Sequence, residues 1–383
     1  MRLKLGVIIP NSNFINKFGK AYLHSLKTGL GNSLEQVDII IESGGYNADR
    51  KLLLEKATKL INSDGVDLII APLNTGVVQS LQGVCESNEV CLIANTLGED
   101  VLYFEDDFDY LFVNTFDQWL SNWSLGYWAA KNIGNTCSVF LSIHEAGYKL
   151  SYAFALGFEA GNGNVVGNWV THKEKRMESS IGVLKEADEL EHDFKMGFYS
   201  SKEAISFLQD VTSESKEGYK PLLGGTFMLE PEVLNHFNSE LVDIKSCTSW
   251  LMTNQEPVND KFVKGFTSEV GRLPDAYSLL AYESGLILNK LMEESSMSSA
   301  NFDLKNALSS VEIYGPRGNL KLNHNGNETR HKSYVTNVVK NNNGVMQNEC
   351  IEEVEIPDLY YEQLEMARQK LVKQGWFNPY LIA

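Results

Sequence analysis

Long apolar runs are absent from this chain of 383 residues, and so is an excess of positive charge. No apolar run approaches the roughly 20 residues that a transmembrane helix needs, so we expect no membrane-spanning helix. Acidic residues number 50 against 33 basic ones, which gives a net charge of −17 at pH 7. A field of that sign repels nucleic acid and anionic membranes, and we expect neither as a partner.

Cysteine is scarce and forms no recognisable pattern. The five cysteines match neither a disulfide framework nor the spacing of a metal site. Only Cys85 and Cys91, which lie in a predicted helix and in the strand after it, are close enough in sequence to suggest a disulfide bond. The alternative is two buried thiols. The sequence therefore predicts no metal ion.

The signature motifs of common enzyme families are missing as well. The first strand runs into VIIPNSNFINKFG, where a dinucleotide-binding fold would carry G-x-G-x-x-G. No Walker loop, G-x-S-x-G elbow or H-E-x-x-H occurs. His144 and His172 each end a predicted strand and are interpreted as turn residues. We expect a protein that is not an enzyme and needs no cofactor.

What the chain does contain is an alternation of apolar strands and amphipathic helices. VDIIIES, VDLIIAPL and EVCLIANT are predicted strands, and the helices between them are NADRKLLLEKATKLINSDG and TGVVQSLQGVCESN. Continuous Ile, Val and Leu are typical of strands buried on both faces of a parallel sheet. A second series of the same kind starts at QWLSNWSLGYWAAKNI. The pattern predicts an α/β fold with two doubly wound parallel-sheet lobes and a cleft between them.

Ligands of open parallel sheets bind at the carboxyl ends of the strands, which selects the candidate binding residues. In the first series these are Asn11, Ser12, Asn74, Thr75, Gly76, Asn95 and Thr96, and in the second Tyr199, Thr226 and Phe227. We expect Thr75 to cap a helix that begins near Gly76, where free N–H groups suit a carboxylate. The alternatives are a plain helix cap at Thr75 and a polar turn at Asn11 and Ser12.

The order of several segments resembles the type I periplasmic solute-binding proteins of ABC transporters, and most closely their branched-chain amino-acid-binding branch. The segments are KLGVIIP, SGGYNADRKLLLEKATKLINSDGVDLIIAPLNTG, CLIANT, PDAYSLLAYESGLIL and YGPRGNLKLNHNGN. The most specific parts are the aromatic-Gly-x-x-Gly run from Tyr314 to Gly318 and the Asp-Ala-Tyr helix start. The resemblance implies a clamp whose chain crosses between lobes near Thr115, Met252 and Arg330.

The resemblance also implies a division of the chain. Lobe 1 is expected to comprise residues 1–115 and 253–330, and lobe 2 residues 116–252 and 331–356. Residues 357–383 form a C-terminal helix and an aromatic tail, which either covers a lobe surface or docks a partner.

Further site assignments follow from the same resemblance. It implies that Asn74, Thr75, Asn95 and Thr96 hold a ligand carboxylate, and that Tyr148 corresponds to the tyrosine in the cleft of that family.

The partner of a ligand ammonium group is less clearly indicated. Amino-acid binders pair that cation with a carboxylate of the second lobe, because a buried unpaired cation is costly. Near Thr226 the acids are Glu230 and Glu232, and Glu145 lies beside Tyr148. The sequence leaves this choice open.

The function implied is capture of a small polar ligand, an amino acid or a related carboxylate or amide, and its delivery to the permease subunits of an ABC transporter. The protein would be a monomer or weak dimer, periplasmic or at the cell surface. Met1 leads directly into the first strand, which leaves no room for a signal peptide, so a processed export form and a cytoplasmic protein both stay open. The alternative function is a ligand-sensing regulatory module that signals through a partner protein.

Overall fold

The computed structural model describes residues 2–46, 49–102, 108–144, 149–175, 177–214, 220–237, 243–294, 302–324 and 331–370. Two sheets organise these residues, one from the first third of the chain and one from the remainder. A short hairpin forms a third, two-stranded sheet. The α/β fold with two lobes that the sequence predicts is confirmed.

The first sheet is wholly parallel, with strand order β2-β1-β3-β4-β5. Its elements are β1 (Leu3–Ile9), α1 (Phe18–Leu30), β2 (Val37–Ser43), α2 (Arg50–Lys59), β3 (Leu68–Pro72), α3 (Thr75–Ser87), β4 (Cys91–Thr96) and β5 (Leu111–Thr115). Every residue of β3, β4 and β5 is buried, as their continuous apolar runs predict, whereas β2 at the edge is half-exposed.

The second series starts a new sheet. Its elements are α4 (Gln118–Asn132), β6 (Thr136–Ser142), α5 (Leu150–Ala160), β7 (Asn164–Thr171), α6 (Ile181–Ala187), β8 (Phe194–Phe198), α7 (Ser201–Glu214), β9 (Leu222–Gly224), α8 (Pro231–Leu234) and β10 (Lys245–Thr248). The chain then continues through α9 (Pro257–Val270), α10 (Ala276–Glu294), α11 (Leu304–Ser310), β11 (Glu312–Gly315), β12 (Gly318–Lys321), β13 (Ser333–Lys340), β14 (Met346–Val354) and α12 (Asp358–Lys370).

The second sheet is mixed rather than purely parallel. Its order is β14-β13-β10-β9-β8-β6-β7, and the pairs β10/β13 and β13/β14 are antiparallel. The doubly wound prediction therefore holds for the five strands β6 to β10, and two returning strands extend the sheet. We call the first sheet with α1–α3 and α9–α11 lobe 1, and the second sheet with α4–α8 and α12 lobe 2. The boundaries at residues 115, 253 and 331 stay a prediction.

Two described segments connect the lobes. The first runs from β5 into α4 and the second from β10 into α9, and the Ser249 hydroxyl group of the second donates a hydrogen bond to the Phe116 carbonyl of the first. The third crossing, near Arg330, lies outside the described residues. The α12 helix packs on lobe 2, where Trp123 Nε1 donates to Gln363 Oε1 at 2.7 Å. The tail after residue 370 lies outside the described residues.

Candidate functional site

The start of α3 is the part of lobe 1 where the sequence predicts a ligand carboxylate. Asn74 caps this helix, since its extended backbone brings Oδ1 to 3.0 Å from the Val77 N–H. The expectation that Thr75 is the cap is wrong, because Thr75 is the first helical residue. Gly76 follows it inside the helix and is half-buried.

The anion at this helix end is a side chain of the protein itself. Glu99 Oε1 accepts a hydrogen bond from the Thr75 backbone N–H at 2.8 Å, and Glu99 is only 2% exposed. Free N–H groups and the helix dipole both favour a negative charge there. Burial nevertheless raises the pKa of Glu99 to about 7, since its hydrogen bonds only partly offset the loss of water. No pattern in the sequence singles out Glu99, which lies three positions beyond Thr96.

Gly98 is what allows the loop to present Glu99. Its φ of +69° lies in the left-handed region, where other residues are strained. A Cβ atom on Gly98 would lie 2.6 Å from Thr115 Oγ1 and 2.9 Å from Asp117 Cα. The loop after β4 therefore packs directly against the first crossing.

The surroundings of Glu99 contain polar atoms without hydrogen bonds. Among the described residues, neither Glu99 Oε2 nor Thr75 Oγ1 has a partner at hydrogen-bond geometry, although both atoms are buried. The Thr75 side chain is close enough to Glu99 to lower the pKa of its carboxyl group. The ring of Tyr277, from the Asp-Ala-Tyr start of α10, lies within electrostatic range of Glu99. Burial first, and the Glu99 carboxylate second, raise the pKa of Tyr277 well above its usual value.

Asn95 and Thr96 end β4 beside this loop. Asn95 is fully buried, with Nδ2 donating to Tyr22 Oη at 2.6 Å and Oδ1 accepting from Ser284 Oγ at 2.9 Å. Its side chain thus ties β4 to α1 and α10. Thr96 is buried too, and its carbonyl accepts the Phe116 N–H of the first crossing at 2.8 Å.

The loop after β1 forms a polar turn that reaches the other lobe. Ser12 Oγ accepts the N–H groups of Phe14 at 3.1 Å and Ile15 at 2.9 Å, while Asn11 is exposed. Tyr46 donates its hydroxyl to Asn13 Oδ1 at 3.1 Å. Phe14 packs against the apolar cores of both lobes, a contact that the sequence analysis did not anticipate.

The predicted residues of lobe 2 are already engaged with their own lobe. Tyr199 is buried, shares a 2.9 Å hydrogen bond with Thr171 Oγ1 and stacks on Phe207 with 4.1 Å between ring centroids.

Thr226 and Phe227, the other two predicted residues of lobe 2, follow the end of β9. Thr226 donates to the Cys247 carbonyl at 2.7 Å, and Phe227 stacks on Phe116 with ring centroids 5.8 Å apart. Tyr148 and Glu145 lie outside the described residues.

The first turns of α4 bring further polar groups between the two sheet edges. The Gln118 N–H donates to the Leu97 carbonyl at 3.0 Å, and Gln118 is 0% exposed. No atom of its side-chain amide has a hydrogen-bond partner within the part of the chain that is described, and the same holds for Asn122 Oδ1 one turn later. Asn122 Oδ1 lies beside Gly225, at 3.6 Å from the position that a Cβ would take. These amides were also missed, because the pattern of α4 predicts only a buried helix.

An ion pair joins the lobes near the second crossing. Arg272, just before α10, lies 3.1 Å from Glu232 Oε1 of α8 and 2.7 Å from Asp275 Oδ2. Burial and the neighbouring acids raise the pKa values of both Glu230 and Glu232, and Arg272 opposes that shift. Glu232, a candidate partner for a ligand ammonium group, is thus already paired with an arginine.

A cavity of about 210 Å³ lies beside this ion pair. Thr226, Glu230 and Trp250 line it from lobe 2 and the second crossing, and Val263 and Leu273 line it from lobe 1. Because a cavity of about 150 Å³ accommodates benzene, this one has room for a single-ring molecule or a branched aliphatic one.

The YGPRG run contributes an arginine to the hinge. Arg317 Nε and Nη2 bind the two carboxylate oxygens of Glu283 at 2.9 and 2.6 Å, and both side chains are at most 1% exposed. The same guanidinium donates to the Thr115 carbonyl at 2.7 Å and to Asn114 Oδ1 at 2.9 Å. Such bidentate geometry fixes α10 to the end of β5, where the chain leaves lobe 1.

The histidines and cysteines singled out in the sequence lie in turns and in the buried core. His172 has a φ of +54° in the turn after β7, and His144 Nε2 lies 3.8 Å from Glu203 Oε1. Cys85 and Cys91 are buried free thiols, which is the alternative to a disulfide bond given above. The described stretches bring together no group of three or more His, Cys, Asp or Glu side chains fit to hold a metal. No helix among the described residues is long and apolar enough to cross a bilayer.

Comparison with known proteins gives this architecture a family. Residues 3–343 match the family model described as periplasmic binding protein, and the chain belongs to that family. No curated protein matches the chain in sequence.

Three solved structures illustrate the likeness. An ABC transporter substrate-binding protein from Sphaerobacter thermophilus is 20% identical, with a TM-score of 0.81 over 92% of this chain and 98% of that one. A solute-binding protein from R. palustris in complex with benzoate is 20% identical, with a TM-score of 0.75 over 93% and 98%. The branched-chain amino acid transporter substrate-binding protein of Streptococcus pneumoniae in complex with isoleucine is 14% identical, with a TM-score of 0.70 over 92% and 99%. The branched-chain branch stays a prediction, because the neighbours include both kinds of binder.

Proposed function

We propose that this protein captures a small polar solute between its two lobes and delivers it to the membrane subunits of an ABC transporter. The solute is an amino acid or a related carboxylate or amide. The observation that carries the proposal is the set of buried side-chain atoms near the starts of α3 and α4 that have no hydrogen-bond partner among the described residues. Buried polar atoms in stable proteins almost always have partners, and a captured solute would supply them.

Capture and closure are one event in this proposal. The polar groups come from opposite sheet edges, so a solute contacts both sets only when the lobes are together, and it stabilises that state. The 210 Å³ cavity, which Phe116 and Thr226 help to line, is large enough to take an apolar side group of the solute. In this role the protein does no chemistry and works outside the cytoplasm, in keeping with its family.

A binding screen tests the proposal. Purified full-length protein is mixed with L-amino acids, their amides and aromatic carboxylates, and the melting temperature and the radius of gyration are measured. At a concentration of about 100 Kd a true ligand adds about 2.7 kcal/mol of stability. We expect at least one compound to raise the melting temperature and to reduce the radius of gyration.

Two variants locate the binding. Gln118→Leu removes the buried amide and is expected to lower the affinity for the compound found in the screen. Gln79→Leu changes an exposed position of α3 and is expected to leave that affinity unchanged. The proposal fails if no compound stabilises the protein, or if the radius of gyration at saturation equals that of the free protein.

A further inference from the structure

The start of α3 is a site for one negatively charged group, and the Glu99 carboxyl group already occupies it. The Thr75 N–H donates to Glu99 Oε1 at 2.8 Å, and Asn74 Oδ1 takes the Val77 N–H. A ligand carboxylate at this helix end would have to displace Glu99 or lie directly beside it. Both are unfavourable, because a displaced Glu99 loses its partner and two adjacent carboxylates repel.

The neighbouring acidic residues further disfavour a ligand carboxylate at the start of α3. Asp100 follows Glu99 and is itself largely withdrawn from water, and Asp117, which caps α4, lies on the other side of Gly98. Within the described residues, nearby cations lower the pKa values of these two acids: Lys149 acts on Asp100, and Arg317 and Arg368 act on Asp117. Arg317 is moreover committed to Glu283. The local field therefore favours a neutral or positive ligand group.

The remaining hydrogen-bonding capacity at this point is mainly that of an acceptor. Glu99 Oε2 and Thr75 Oγ1 are buried, and within the described residues neither has a partner at hydrogen-bond geometry. The Thr75 side chain is nevertheless close enough to Glu99 to lower the pKa of its carboxyl group, so the hydroxyl proton of Thr75 is directed to Glu99 and its oxygen is left as an acceptor. A carboxylate oxygen accepts hydrogen bonds, and a threonine hydroxyl can accept as well as donate. A primary amide NH₂ or an ammonium group carries two or more N–H donors and matches this pair.

We propose that Glu99 makes the α3 end of the cleft selective for a ligand group that donates hydrogen bonds, an amide NH₂ or an ammonium, and excludes ligand carboxylates from that position. This inference rests on the proposed function and narrows its ligand class. A carboxylate-bearing solute would then bind with its donor group at Glu99 and its carboxylate elsewhere.

Matched probes test the selectivity. Benzamide, benzylamine and benzoate are of similar size and differ in the polar group, and L-isoleucinamide and L-isoleucine form a second pair. Dissociation constants are measured by calorimetry for the wild-type full-length protein at pH 8. We expect the amide or amine member to bind at least tenfold more tightly than benzoate, and L-isoleucinamide more tightly than L-isoleucine.

Glu99→Gln keeps the shape of the side chain, removes its charge and supplies a donor. It is expected to reduce the preference for the amide and amine at least tenfold. Glu86→Gln is the matched control, because Glu86 also accepts a backbone N–H, that of Tyr110 at 2.7 Å, but lies at the opposite end of α3. It is expected to leave the preference unchanged. Thr75→Val removes the second acceptor and should lower the affinity for the amide probes. This variant tests the inference even if Glu99→Gln does not fold.

The outcomes separate this inference from the function on which it rests. If benzoate binds wild type as tightly as the amide and Glu99→Gln leaves the ratio unchanged, the selectivity is overturned and solute capture stands. If none of the probes and none of the compounds of the wider screen binds, solute capture fails and the selectivity fails with it.

Discussion

Glu99 is a buried carboxyl group whose hydrogen bond does not fully offset the loss of water around it. Its pKa is raised from 4.5 to about 7, with burial as the largest cause. Between these values the folded protein holds a proton that the unfolded chain has released, so the folded state loses stability as pH rises through this window. A shift of that size corresponds to about 3 kcal/mol, taken as an order of magnitude.

The corresponding prediction compares wild type with Glu99→Gln in denaturant titrations at pH 4.5 and pH 8. Glutamine does not titrate, so only wild type loses this stability as the pH rises. The stability of the variant relative to wild type should therefore increase by about 3 kcal/mol from pH 4.5 to pH 8. Asp117 titrates in both proteins and cancels in the comparison, whereas Asp100, whose charge raises the pKa of Glu99, contributes to the measured difference. A difference that does not change with pH would show that Glu99 has an ordinary pKa.

Arg317 and Glu283 form an ion pair that is withdrawn from water on both sides. Removing one partner of such a pair leaves a buried charge uncompensated, which costs about 3–5 kcal/mol. We expect Arg317→Met to lower the free energy of unfolding by that amount. Lys264→Met, which breaks the exposed pair with Asp260, should change it by less than about 1 kcal/mol. Equal effects of the two variants in urea titrations would contradict the role of Arg317 as the clasp between α10 and the end of β5.

At the scale of elements, helix pairs in the two lobes are packed through glycine. α5 lies against α4 so closely that a Cβ on Gly157 would be 1.9 Å from the Trp123 carbonyl oxygen. In lobe 1, a Cβ on Gly29 of α1 would be 2.2 Å from the Tyr282 carbonyl oxygen of α10. Backbone cannot give way as a flexible side chain can, so each helix pair is held at a distance that only glycine permits.

The prediction for this contact is that Gly157→Ala forces α4 and α5 apart and destabilises the protein by about 1–3 kcal/mol. Gly265→Ala is the matched control, because Gly265 lies inside α9 with nothing within 4 Å of its added Cβ. There the better helix propensity of alanine should stabilise the protein by about 0.5–1 kcal/mol. Thermal or chemical denaturation distinguishes the signs, and stabilisation by Gly157→Ala would refute the packing argument.

Sequence periodicity predicts those elements best whose burial is one-sided or complete. β3 and β4 follow their predicted apolar runs, and α3 begins at the predicted TGVVQSLQGVCESN segment. β14 was not predicted, because it is an edge strand of mostly exposed polar residues such as Glu349 and Glu352. Only its first and last residues, Met346 and Val354, are buried, so the strand shows no apolar alternation in the sequence.

The sequence predicts which loops form the candidate site, but not which side chains fill it. The topological rule selects the loop after β3, and a ligand anion at the start of α3 follows from it. That Glu99 fills this position depends on how the loop after β4 turns at Gly98, which is a tertiary contact with the first crossing. Gln118 and Asn122 could not be predicted as site residues for a related reason, because a buried amide in an apolar helix has no sequence pattern of its own.

At the scale of the whole molecule, the lobes contact one another through side chains as well as through the crossing segments. Arg272 of lobe 1 reaches Glu232 of lobe 2, and its Nε donates to the Asn16 carbonyl at 3.3 Å, beside the loop that carries Phe14 across the cleft. Arg272 and Glu232 are each only 17% exposed, so salt screens this pair less than a surface pair. The contact favours the state in which the lobes are together.

The last prediction follows from that contact. Arg272→Met removes the charge that bridges the lobes and leaves Glu232 and Asp275 facing each other, so the open state gains population in the absence of ligand. The radius of gyration of the free protein, measured by small-angle scattering, should increase, and ligand affinity should fall because binding must now supply the energy of closure. Arg2→Met is the control, since Arg2 pairs with Asp38 inside lobe 1 and should change neither quantity. An Arg272→Met protein with the radius of gyration and the ligand affinity of wild type would show that the hinge alone sets the balance between the open and closed states.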